Sequence, residues 1–106
     1  MALAEDAKTT ANVVEIATMK LANGVTPEAF AGVDARVEAE HVSQQPGFVA
    51  RETGATEDGW VAIVYWASVE DAEASMGSFA SAPAAAEFMS MVDPESISMT
   101  RYSLTK

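Results

Sequence analysis

The alternation of apolar and polar positions changes period several times along the chain, and each change marks an element. Residues 1–11 are small and polar without a period and are expected to form a loose tail, so the folded domain is taken as residues 12–106. Val13 to Leu21, VVEIATMKL, carries apolar and β-branched residues on both alternating sets, which predicts a strand covered on both faces. Asn23-Gly24 then turns the chain, and Thr26-Pro27 offers a helix cap followed by proline at the first helical position. Phe30, Val33 and Val37 recur on one stripe of that helix, and Pro46-Gly47 stops it.

Phe48 to Thr53 predicts a second strand, Glu57-Asp58-Gly59 a hairpin turn, and Trp60 to Trp66 a third strand. Ser68 caps a second helix, and Asp71 three residues on puts negative charge in its first turn. Val69, Ala72, Met76 and Phe79 form its apolar stripe. Ser81-Ala82-Pro83 breaks the helix, and Ala84, Ala85, Phe88, Met89 and Val92 restart it until Asp93-Pro94. Ile97 to Leu104 closes the chain as a fourth strand.

This order, β-α-β-β-α-β, is the ferredoxin-like unit, so the expected class is α+β with a four-stranded antiparallel sheet. Both helices lie on one face of such a sheet. In strand three, however, both sets are apolar: Trp60, Ala62, Val64 and Trp66 on one side, Val61, Ile63 and Tyr65 on the other. The second face needs a cover, and the simplest is another copy of the chain packed sheet to sheet about a two-fold axis. A homodimer is therefore expected.

A length of 106 residues fits a single domain, and a hydrophobic fraction of 49% supports a packed interior. Sixteen acidic against six basic side chains give a formal charge of −10, which repels phosphate backbones and anionic lipid, so neither nucleic acid nor a membrane is an expected partner. The start, MALAEDAKTTAN, lacks a basic segment followed by an apolar one, and no long apolar run follows. Cytoplasmic location is the expectation. With no cysteine there is no thiol nucleophile or thiolate metal site, and a lone histidine rules out a site of several imidazoles. Neither a phosphate-cradling glycine loop nor a Gly-x-Ser-x-Gly elbow is present, and no cofactor is expected.

Several stretches together resemble the antibiotic biosynthesis monooxygenase family of dimeric α/β barrels, over about residues 12–104. They are the first strand, a helix ending in QQPGF (Gln44 to Phe48), the hairpin, the YWASVEDA junction (Tyr65 to Ala72) and the broken helix FASAPAAAEF (Phe79 to Phe88). The resemblance implies two sheets paired into a barrel, with a pocket between each sheet and its helices. Trp66 would then stand where the third strand leaves for the helix. Cofactor-independent quinone-forming members, which the chain resembles at Trp66, carry a polar amide four residues earlier on the strand and a tyrosine within helix two. Here those positions hold Ala62 and Ala72 or a neighbour. Haem-degrading members place a tryptophan in helix two and a histidine soon after the helix break, and Ser75 to Ser90 contains neither.

His41 comes eleven residues after Phe30, and at about 100° per residue it returns to within roughly 20° of the Phe30 direction. It is the candidate catalytic base, against a covered histidine settled by the helix dipole. Glu15 interrupts an apolar strand, and its candidate roles are a structural ion pair with Arg51, Arg101 or Lys20, or a place in the dimer seam or a wet pocket. Tyr65 is the candidate hydrogen-bond donor and Trp66 the candidate pocket wall. Two functions follow: an oxygenase without bound cofactor acting on a small apolar or aromatic metabolite, or a non-catalytic dimeric module that binds a small ligand or another protein.

Overall fold

A computed structural model describes residues 10–105 of the chain. It contains β1 (Val13–Lys20), α1 (Pro27–Glu40), β2 (Phe48–Ala55), β3 (Gly59–Trp66), α2 (Val69–Ser78), α3 (Ala85–Ser90) and β4 (Ser98–Ser103). Short 3-10 turns follow α1, follow α2 and precede β4. The predicted tail lies outside the described residues as far as residue 9. Ala11 is fully buried, and the Asn12 N–H donates to the Trp66 carbonyl, so the packed chain starts ahead of the first strand.

The strands line up β2-β3-β1-β4, all antiparallel. This is the ferredoxin-like arrangement, in which the first and third strands form the centre. The caps form as their residue types require. Thr26 Oγ1 accepts from the Ala29 N–H at 3.1 Å, with proline next in line, and Ser68 Oγ accepts from the Asp71 N–H at 3.1 Å. Gly24 and Gly47 supply the two left-handed turns, at φ of 83° and 81°.

Strand register decides which side chains share a face. Val13 pairs with Trp66, Glu15 with Val64, Ala17 with Ala62 and Met19 with Trp60. This set is buried apart from the half-buried Ala17, because the helices lie against it. Phe30 anchors α1 to the sheet, with its ring 5.1 Å from Trp60, edge to face, and 4.8 Å from Phe88 of α3. Trp66 is only 1% exposed and meets Phe48 edge-on at 6.0 Å. The Phe30 contacts thus tie α1 to the sheet and to α3, and the Phe48 contact ties β2 to the end of β3.

The opposite face has no such cover among the described residues. Val14, Ile16, Val61, Ile63 and Tyr65 are half-buried there, and Tyr102 is 53% exposed. Among the described residues, no helix is long and apolar enough to cross a membrane.

Candidate functional site

Between the sheet and the helices lies a cavity of about 230 Å³. Its floor is the helix-facing set of the central strands, where Glu15, Ala17, Ala62, Val64 and Trp66 all contribute. Met76, Met89, Ile97 and Met99 form its mouth, each between 36% and 44% exposed. Unbranched, polarizable methionine side chains suit an opening whose occupant varies in shape.

Charge enters these apolar walls at one level of the sheet. Arg51 and Glu15 both stand opposite Val64, from β2 and β1, and Glu15 in turn stands opposite Arg101 of β4. Strand spacing puts the Arg51 and Glu15 backbones roughly 10 Å apart across the floor. Glu15, 9% exposed, accepts from Arg101 Nε at 2.8 Å. Of the three candidate partners for this acid, Arg101 is the one it takes.

Arg51 is claimed by α1 instead. Its two terminal nitrogens form a fork on Asp34, at 2.7 and 2.8 Å, and Nη1 also reaches Glu38 at 3.0 Å. The Arg51 and Asp34 side chains are 4% and 5% exposed, whereas Glu38 is 40% exposed. Burial by itself lowers the Arg51 pKa, but the hydrogen bonds and charges of Asp34 and then Glu38 outweigh it and leave the pKa above its ordinary value. The guanidinium is therefore a permanent cation in the cavity wall. Arg51 Nε and Trp66 Nε1 are both buried with no hydrogen-bond partner among the described residues, and both belong to residues that line the cavity.

Two of the four residues singled out from the sequence, Trp66 and Glu15, line this cavity, and two do not. Tyr65 is corrected first: it belongs to the opposite set of β3, on the uncovered face, where its hydroxyl donates to Glu52 Oε2 at 3.2 Å. His41 is the other. It is the C-cap of α1, with φ −132° and ψ −64°, and its N–H still donates to the Val37 carbonyl at 3.0 Å. It is 6% exposed, with Nε2 2.8 Å from Ser78 Oγ and its ring edge-to-face with Phe79 at 6.2 Å. Phe79 lines the cavity and His41 does not. The Ser78 hydroxyl donates to the Ser75 carbonyl at 3.2 Å, so in this arrangement the Nε2–H donates to Ser78 and Nδ1 has no partner among the described residues.

The sequence reading missed Asp34 and gave Arg51 only as a candidate partner for Glu15. A signal for Asp34 existed: it follows Val33 and lies four residues after Phe30, so it sits on the buried stripe of α1, where an acid needs a cation.

No protein-family model matches the chain, and no curated protein does. Solved structures do match. SnoaB, a cofactor-independent oxygenase from Streptomyces nogalater, superposes with TM-score 0.73 at 18% identity, over 91% of this chain and 95% of that one. A protein from Chloroflexus aurantiacus provisionally named an antibiotic biosynthesis monooxygenase gives 0.66 at 16% identity, over 89% and 93%. A dimeric ferredoxin-like protein of unknown function from Thermobifida fusca gives 0.67 at 14% identity, over 89% and 92%. What is shared at these identities is the fold. The chain is an α+β protein of ferredoxin-like topology, with the four-stranded antiparallel sheet expected of it.

Proposed function

We propose that the chain works as a homodimer whose sheet-helix cavity binds a small apolar or aromatic molecule. One observation carries this reading: a cavity with apolar walls, reached through four partly exposed apolar side chains, that also contains a few polar groups. Ligand sites commonly combine these features, and about 230 Å³ lies just under their usual range of ~300–1,000 Å³, which fits a small occupant. Trp66 and Glu15 are the wall residues we assign from the sequence, joined by Arg51.

The uncovered sheet face supports the dimer. Val14, Ile16, Val61, Ile63, Tyr65 and Tyr102 make one contiguous, largely apolar surface of the kind that soluble chains pair rather than expose. The Thermobifida fusca protein of the same fold is dimeric.

A second reading makes the cavity catalytic, as a cofactor-independent oxygenase site. The fold shared with SnoaB and the position of Trp66 in the wall favour it. The displacement of His41 from the wall and the alanine at position 62 favour binding without turnover. The test is to follow tryptophan fluorescence and dissolved oxygen while polycyclic aromatic compounds are titrated in. Saturable quenching without oxygen uptake supports the binding module, quenching with stoichiometric uptake supports the oxygenase, and neither would overturn both.

A further inference from the structure

Resting on the cavity reading above, we infer that Arg51 is the residue that sets which ligands the cavity accepts, through its Nε–H, and that it selects an uncharged ligand carrying an acceptor oxygen. The guanidinium has no freedom to rearrange, because the Asp34 carboxylate holds both terminal nitrogens and Glu38 holds Nη1 again. That leaves Nε, a buried donor without a partner on a residue that lines the cavity. A donor in that condition gains most from an acceptor brought in by a ligand, since its own cost of burial is already incurred.

The charge balance decides the kind of acceptor. Asp34 already neutralises Arg51, Glu38 adds a second negative charge beside it, and across the floor Glu15 is paired with Arg101. A carboxylate ligand would lose its hydration without meeting an uncompensated cation, and it would share the cavity with the Glu15 carboxylate in the wall. A ketone or ether oxygen incurs a smaller desolvation cost and still takes the charge-assisted hydrogen bond. Arg51 thus acts as a neutral-ligand filter despite its charge.

The test uses three probes that differ at one substituent, naphthalene, 2-acetylnaphthalene and 2-naphthoate, titrated against the full chain at neutral pH with tryptophan fluorescence as the readout. The expected order of affinity is ketone, then hydrocarbon, then carboxylate. A charge-assisted hydrogen bond corresponds to about a ten- to hundredfold gain for the ketone. In Arg51→Lys, which keeps a cation for Asp34 but lacks the Nε–H, the ketone-to-hydrocarbon ratio should fall by about tenfold or more. The double variant Arg51→Met with Asp34→Leu should lose the ratio equally and guards against a folding defect in the single variant. An unchanged ratio in both variants, or a carboxylate that binds as tightly as the ketone, would overturn the assignment while leaving the cavity reading intact. If no probe binds the unmodified protein, the cavity reading and the role of Arg51 are overturned together.

Discussion

Removing the Asp34 carboxylate should be among the most costly single changes on α1. Asp34→Ala strips two charge-assisted hydrogen bonds, at 2.7 and 2.8 Å, from a guanidinium whose side chain is 4% exposed. What remains to Arg51 is Glu38, itself 40% exposed and bonded through a single nitrogen. Breaking a buried pair from one side costs about 3–5 kcal/mol, and the surviving Glu38 contact points to the lower end, near 3 kcal/mol. Glu38→Ala, which loosens a contact that solvent already screens, should cost at most about 1 kcal/mol. Replacing both members by apolar residues, Asp34→Leu with Arg51→Met, should return stability to within about 1 kcal/mol of the starting protein. Urea denaturation of the four proteins at one fixed concentration checks this, since dimer stability depends on concentration. Losing no more from Asp34→Ala than from Glu38→Ala would refute the claim that Arg51 is a buried cation. The pH dependence follows with its sign. The folded pKa of Arg51 is raised above its ordinary value, so its contribution is fully present below that ordinary value and is lost only as pH climbs through the higher folded one. Between neutral and mildly alkaline pH the guanidinium should add no slope to the stability curve.

Three further substitutions probe other parts of the account. Gly47→Ala should destabilise by about 2 kcal/mol or more in urea, because position 47 has φ +81° and the new Cβ would come within 2.1 Å of Asp71 Oδ2, displacing the residue that closes the Ser68 cap. Trp66→Ala should cost about 3–5 kcal/mol and abolish most of the ligand-dependent fluorescence change. His41→Ala should cost about 1–3 kcal/mol through the orphaned Ser78 contact and lost packing on Phe79, yet leave the affinity for 2-acetylnaphthalene unchanged in a titration, since His41 is not part of the wall.

The parts of the fold legible in the sequence are those whose cause is local. Thr26-Pro27 and Ser68 announce helix starts because a hydroxyl is needed to satisfy backbone N–H groups at that point, and both hydroxyls do so. The two apolar sets of β3 announced two faces to be covered, and register puts them where alternation said. The site was less legible for reasons of distance. Whether Glu15 meets Arg51 or Arg101 depends on which strands are neighbours at its level, and 86 residues separate Glu15 from the arginine it takes. Asp34 was hidden because an apolar stripe is read by its apolar members, so an acid on the stripe reads as noise until its partner on β2 is in place. His41 is buried, as its place on the stripe implies, but its contacts are Ser78 and Phe79 and it is not among the wall residues, a distinction that needs α2 in place. Tyr65, by contrast, could have been set aside by alternation alone, since it neighbours Trp66 and must face the other way.

The pairing of two bare sheet faces is the central claim of the proposed homodimer, and molar mass in solution tests it most directly. Light scattering coupled to size-exclusion chromatography at micromolar concentration should return twice the 11.1 kDa of one chain, and Ile63→Glu, which puts a charge at the centre of the uncovered face, should shift the mass toward a single chain. A stable 11.1 kDa species for the unmodified protein, unchanged as concentration is raised, would contradict the account.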